Sequence, residues 1–320
     1  MKLKKTIFLL FVSSIYCLCA KKSSADDSLH VYILAGQSNM EGQGVVDLDH
    51  PKYYNDGKGI LKNVFKKTEF KSKFPHVLSN DGGFATRNDV FVRFKTRHGL
   101  KIGPLGIGFT GYEGKHHIGP EFQFGHVLGI HTPLPVLIIK TAWGGKSLFS
   151  DFRPPSSPGQ TGTFYVKMIT EINEGLRNIK TDFPQLGKLK PEIKGFIWFQ
   201  GWNDMFNASA REEYQSNLVN LIRDVRSDLN KPRLPVIIGE LGNLGPKTNK
   251  SMSDIRHAQK NAADALGDLV AFVQTHQFAR PKKKSPNTTH GHHWFGNAES
   301  YFLIGNEFGK NMIKLTNQNN

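Results

Sequence analysis

From about residue 29 onward, short and almost continuous apolar runs alternate with longer stretches whose apolar residues recur every three or four positions. The apolar runs are Leu29 to Leu34 (LHVYIL), Pro135 to Ile139, Gly195 to Phe199, Pro235 to Ile238 and Leu269 to Val273. Runs of this length without polar alternation suit strands covered on both faces, as in a parallel sheet. Between them, Arg211 to Leu229 aligns Tyr214, Leu218, Leu221, Ile222, Val225 and Leu229 along one helical stripe. Phe164 to Ile179, Met252 to Leu266 and Asn297 to Met312 read as further helices. Strands separated by helices predict βαβ units and a three-layer α/β/α sandwich around a central, mainly parallel, five-stranded sheet.

Two stretches break this rhythm. From about 47 to 117 the chain is rich in Lys, Gly and Asn and lacks helical periodicity; it holds a possible hairpin, Val90 to Phe94 followed by Leu100 to Phe109. It is expected as an irregular insertion beside the sheet. Because ligands in open α/β sheets bind at the carboxyl ends of strands, an insertion after the first strand borders the site. The other stretch is the start. Three lysines among the first five residues precede an apolar run, Thr6 to Leu18, and small residues follow at Ala20 and Ser23 to Ala25. That order describes a cleaved secretory signal peptide over residues 1–25, since a bilayer span needs roughly 20 apolar residues. One domain over 26–320 and a secreted or periplasmic location follow.

Cleavage changes the composition. Both cysteines, Cys17 and Cys19, would leave with the signal, so thiolate catalysis, disulfides and cysteine-held metals are excluded from the mature chain. The formal charge of +15 loses five lysines and no acid, leaving 37 basic against 27 acidic residues, a net +10. Such a surface suits an acidic partner such as a charged glycan, or is merely basic. No motif for nucleic acid accompanies it. The basic run Arg280 to Lys284 reads as a solvated loop.

Four blocks carry candidate chemistry, each just past a predicted strand or before a predicted helix. Ala35-Gly36-Gln37-Ser38-Asn39-Met40 sets a serine on a tight turn, as a nucleophile or as a plain helix cap. Trp143-Gly144-Gly145-Lys146-Ser147 lets backbone approach a bound group and donate an N–H to an oxyanion. Trp198-Phe199-Gln200-Gly201-Trp202-Asn203-Asp204 offers neutral amide donors, Gln200 and Asn203, or else a helix cap. His290-Gly291-His292-His293 supplies an imidazole to take a serine proton, ahead of a helix that Asn297 can cap. A metal reading of the histidines lacks a suitably spaced pair of acidic ligands, so no metal or cofactor is expected.

The order Gly-Gln-Ser-Asn-Met, Trp-Gly-Gly-Lys-Ser, Trp-Phe-Gln-Gly and a late histidine resembles the SGNH-hydrolase superfamily. Within it, the likeness is to the sialate O-acetylesterase branch with carbohydrate esterase family six. The resemblance spans about His30 to Met312. It implies a flavodoxin-like sandwich and a serine carboxylic-ester hydrolase that removes acetyl groups from carbohydrate. It makes Ser38 the nucleophile and first oxyanion donor, with Gly145, or Gly144, as the second, and Gln200 or Asn203 as the side-chain donor. It makes His293, or His292, the general base. Gln37 and Glu121, the latter in Gly119-Pro120-Glu121-Phe122, would face or shape the substrate pocket; for Glu121, a carboxylate at a helix start is an equal explanation. One departure stands out: where the family places Asp three residues before its histidine, with two residues between them, this chain has His290, or Thr289 if His292 is the base. The expectation is therefore a Ser–His dyad, or a triad completed from elsewhere by a backbone carbonyl or by Asp204 or Glu240. The expected partner is an acetylated oligo- or polysaccharide, acidic or neutral, with no nucleic acid and, after signal cleavage, no membrane. A non-catalytic glycan-binding relative and a carbohydrate O-acetyltransferase are the alternatives.

Overall fold

The computed structural model describes residues 27–47 and 54–318; the predicted signal peptide lies outside them. The chain opens with β1 (Ser28–Gly36), the one-turn α1 (Ser38–Glu41) and β2 (Gly44–Val45). Two short helices, α2 (Leu61–Val64) and α3 (Thr68–Lys73), lead to the hairpin β3 (Arg87–Thr96) and β4 (Gly99–Leu105). Then come β5 (His117–Ile118), α4 (Glu121–His131), β6 (Val136–Ala142), α5 (Thr163–Arg177) and α6 (Ile179–Asp182). β7 (Lys190–Phe199), α7 (Ala208–Asp228), β8 (Val236–Gly239), α8 (Lys250–Leu266), β9 (Val270–Val273) and α9 (Ala298–Gln318) complete the chain.

The five expected strands are present, joined by two more in a seven-stranded sheet of order β4-β3-β6-β1-β7-β8-β9. All neighbouring pairs run parallel except the β3–β4 edge. Thus the hairpin in the irregular stretch enters the sheet and does not stand beside it. Arg93 explains why β3 is hard to read as a buried strand: its guanidinium lies inside, bonded to Asp182 and Glu174 at 2.8 Å each.

Alternation along β1 divides the core, because successive side chains of a strand point to opposite faces. Val31, Ile33 and Ala35 pack under α5, α7 and α8, whereas Tyr32 and Leu34 pack under α4 and α9. The stretch around α2 and α3 builds a small aromatic cluster on α9, with Phe65, Phe70 and Phe74 meeting Phe302 at 4.9–5.5 Å between ring centroids. Parallel register brings Gly36 level with Ala142 on β6 and Phe199 on β7. The three strands therefore end together, which sets the first three chemical blocks side by side.

Candidate active site

Gly36 allows the turn on which the site depends. Its φ is +154°, and a Cβ there would sit 2.2 Å from the Phe199 carbonyl oxygen; only glycine tolerates both. Ser38 follows at the first position of α1, buried at the floor of a cleft of about 670 Å³. Capping does not explain it, because Gln37 occupies the N-cap, with its carbonyl accepting from Met40 and Glu41.

Gln37 also borders the cleft, and its amide fastens the neighbouring loop. Oε1 accepts the N–H groups of Gly201 and Trp202 at 3.2 and 3.1 Å, and Nε2 donates to Asn203 Oδ1 at 3.4 Å. Asn203 lines the cleft and donates to the Gly145 carbonyl at 2.7 Å. Gln200 does not reach it: its buried amide donates to Lys146 O at 2.9 Å and Asp204 Oδ2 at 2.6 Å. Of the two amides, Asn203 is thus the one available to a ligand. The helix-cap reading of this block also falls away, since α7 is capped by Asn207, whose Oδ1 accepts from Ala210 N.

Of the two glycines after β6, Gly144 lies against the Glu41 carboxylate, whose pKa its backbone N–H lowers. Gly145, at φ +72°, has open space where a Cβ would be. The loop beyond is held by Asp204, which accepts from Leu148 N at 3.0 Å and Phe149 N at 2.8 Å. Burial outweighs these bonds and pushes the Asp204 carboxyl up to about 6. The folded chain therefore keeps a proton there that the unfolded chain, with an ordinary Asp value near 4, has released. This group makes the fold progressively less stable as pH rises from about 4 to about 6. Asp204→Asn should remove that slope from the pH dependence of the urea midpoint.

His292 and His293 both line the cleft, their rings 4.0 Å apart. The segment is held by its backbone: Asn243 and Asn39 donate to the His292 carbonyl at 2.7 and 3.1 Å, and Tyr301 OH donates to Asn39 Oδ1 at 2.8 Å. The residue after the serine thus anchors the histidine segment. Left-handed Trp294 and Phe295, both at φ 53°, then turn the chain into α9, whose first turn Asn297 caps by accepting from Ser300 N. Burial first, then His292 and His290, hold the His293 imidazole down to about 3. Burial, with His290, also lowers His292.

Among the described residues, no carboxylate or carbonyl hydrogen-bonds to either ring. Glu240, one of the two carboxylates expected as a substitute, is spent on His276: it accepts from the backbone N–H groups of Thr275 and His276 and from His276 Nδ1 at 2.8 Å. The other, Asp204, serves the loop after β6. The histidine is therefore unsupported by an acid, because both candidates are committed. No cluster of three or more histidine or acidic side chains among the described residues is arranged to hold a metal.

Glu121 lies behind the cleft and is fully buried. Its Oε2 accepts from Lys140 Nζ at 2.7 Å and its Oε1 from Gly119 N at 2.8 Å. Lys140 Nζ also donates to the carbonyls of Glu41 at 2.9 Å and Phe109 at 2.7 Å. The pair therefore supports the end of α1 and meets no ligand. Glu41 was not singled out from the sequence, yet among the described residues it is the one carboxylate lining the cleft, and burial raises its pKa. The available signal was its spacing: three residues after Ser38 on a helix is the same face.

The sequence matches the family model "Carbohydrate esterase, sialic acid-specific acetylesterase" over residues 28–313. It is 25% identical over 243 residues to the Arabidopsis thaliana protein named "Probable carbohydrate esterase", a match covering 74% of this chain and 79% of that one. The fold is similar to that of a protein of Arabidopsis thaliana solved by X-ray methods (TM-score 0.57, 20% identity, 89% of this chain and 98% of that one). It is also similar to NanS (TM-score 0.55, 14% identity, 92% and 99%). A third is a carbohydrate acetylesterase from Xanthomonas citri (TM-score 0.50, 16% identity, 87% and 57%). With residues 28–313 of its 320 matched, the chain belongs to the sialic acid-specific acetylesterase family of carbohydrate esterases.

Proposed function

We propose that this protein is an exported serine esterase that removes O-acetyl groups from carbohydrate through an acetyl-enzyme on Ser38. The observation that carries the reading is the convergence of Ser38, His293, Gly145 and Asn203 on one cleft, from four separate strand ends and loops. His293 takes the Ser38 proton as the hydroxyl oxygen bonds to the acetyl carbon. The Ser38 and Gly145 N–H groups and the Asn203 amide stabilise the oxyanion. The bond to the sugar oxygen breaks as the imidazolium returns its proton there. Water then attacks the acetyl-enzyme with the same base, releasing acetate and restoring Ser38. Export rests on the basic and apolar start of the chain.

Acetate release from an aryl acetate and from acetylated glycans tests this. Ser38→Ala should lose at least about 10⁴-fold in kcat, and His293→Ala a comparable factor, whereas His292→Ala should lose much less. Wild-type rates in Ser38→Ala would reject the mechanism. The unsupported imidazole favours one rival, a glycan-binding protein without hydrolysis, which the same assay detects as absence of acetate release by the wild type.

A further inference from the structure

The strand order sets two chemically different walls on opposite sides of Ser38. β6 and β7 flank β1, so the loop carrying Trp143 and Lys146 leaves the sheet on one side of the nucleophile and the loop carrying Trp202 on the other.

On the β6 side, Phe164 at the start of α5 meets Trp143 at 5.3 Å between ring centroids. Two ammonium groups lie over these rings: Lys146 Nζ is 4.3 Å from the Phe164 centroid and Lys167 Nζ 4.9 Å from that of Trp143. Lys146 is hydrogen-bonded to Asp151 at 3.2 Å, whereas Glu171 stands 4.0 Å from Lys167. Arg97 adds a third cation to the lining, and among the described residues Glu41 is the only acid in it. Long cationic side chains laid over aromatic faces leave a flat, positively charged surface. Such a surface suits a ring that carries an anionic group.

Among the described residues, the β7 side has no lysine or arginine in the lining. There Trp202 meets Phe206 edge to face at 5.8 Å, and Phe206, outside the cleft lining, is 69% exposed. A phenylalanine so exposed contributes little to the core. A pyranose, however, presents apolar C–H faces, and covering an aromatic ring with one removes apolar area from water from both. Trp202 with Phe206 thus continues the aromatic surface from the cleft lining to an exposed ring outside it.

We propose that the site takes an internal residue of an acetylated anionic polysaccharide, not a lone acetylated sugar. The acetylated residue lies at Ser38, a carboxylated or sulfated neighbour rests on the Trp143 side under Lys146 and Lys167, and the next pyranose stacks on Trp202 and Phe206. This rests on the esterase reading of the cleft, but its test includes binding measured without catalysis.

The binding arm uses calorimetry on Ser38→Ala with chemically acetylated oligogalacturonate, acetylated sulfated galactan oligosaccharides and acetylated xylo-oligosaccharides, each as single residues and as hexamers. The expected result is at least tenfold tighter binding of hexamers than single residues, and of the anionic hexamers than the neutral one, with the charge preference lost near ~1 M salt. Comparison of the two anionic hexamers tells carboxylate from sulfate. Phe206→Ala should weaken every hexamer and leave single residues as they were. Lys167→Met should weaken only the anionic hexamers. In the kinetic arm, the loss of kcat/KM in Lys167→Met on the anionic hexamers should exceed its loss on an aryl acetate at least tenfold. Equal binding of single residues and hexamers, or anionic preference intact in Lys167→Met, overturns the inference. An aryl acetate rate unaffected by Ser38→Ala overturns the esterase reading instead.

Discussion

Glu121→Ala is expected to lower the urea midpoint by the equivalent of about 3–5 kcal/mol, although Glu121 never meets a ligand. The variant leaves the Lys140 ammonium buried and without its charge partner, since its two other bonds go to the neutral carbonyls of Glu41 and Phe109. Burial already lowers the Lys140 pKa, with Glu121 as the main opposing influence. Once that influence is gone, the side chain must either remain charged at high cost or lose its proton. Glu121→Gln keeps an acceptor and should fall between the two. The double variant Glu121→Leu with Lys140→Met replaces the pair by apolar groups of similar size and should recover most of the stability. It should not recover the full rate, because the Glu41 carbonyl at the end of α1 would still lack its donor. A Glu121→Ala midpoint equal to that of the wild type would show that the pair holds nothing together.

The second large effect concerns pH. A general base must be neutral, and an ordinary histidine near 6.5 would cost about 30-fold in rate at pH 5. Burial and the neighbouring His292 and His290 hold His293 down to about 3. The sign is therefore toward acid tolerance: kcat/KM should stay nearly flat from pH 7 down to about 5. Two other cleft groups titrate on this side: Glu41, its pKa raised by burial, and His292, its pKa lowered by burial and by His290. Profiles of Glu41→Gln beside the wild type assign any remaining acid limb. His290→Asp restores a carboxylate three residues before His293 and removes one of the groups that depress it. That variant should lift the acid limb to near pH 6 and increase kcat at pH 8. A wild-type profile that already falls with a midpoint near 6.5 would overturn this account.

The fold was legible wherever burial on both faces left an unbroken apolar run, as in β1, β6 and β8. The hairpin of β3 and β4 was legible as a hairpin, but its place in the main sheet was not, because Arg93 interrupts the run and becomes acceptable only through Asp182 and Glu174, residues far along the chain. The same contrast holds in the site. Ser38 and the Gly144-Gly145 pair were readable as cleft residues because strand ends present backbone turns to a shared edge. Gln200 and Asn203 looked equivalent in sequence. Their separation depends on Asp204 and Lys146 capturing one amide and leaving the other at the cleft, which local spacing does not encode. The missing acid was visible as a gap, but only the partners of Glu240 and Asp204 show that neither fills it.

The bonds that join Asn39 to Tyr301 and to the His292 carbonyl carry a consequence for how the molecule comes into being. Their partners are separated by 262 and 253 positions in the chain. Closing contacts across such distances is among the slowest steps available to a folding polypeptide. During synthesis the serine turn emerges early, but the segment that brings its base exists only once α9 can dock. On the mechanism proposed above, a growing or truncated chain therefore presents a nucleophile without its partner, so esterase competence would arrive in one late step, together with the completed structure.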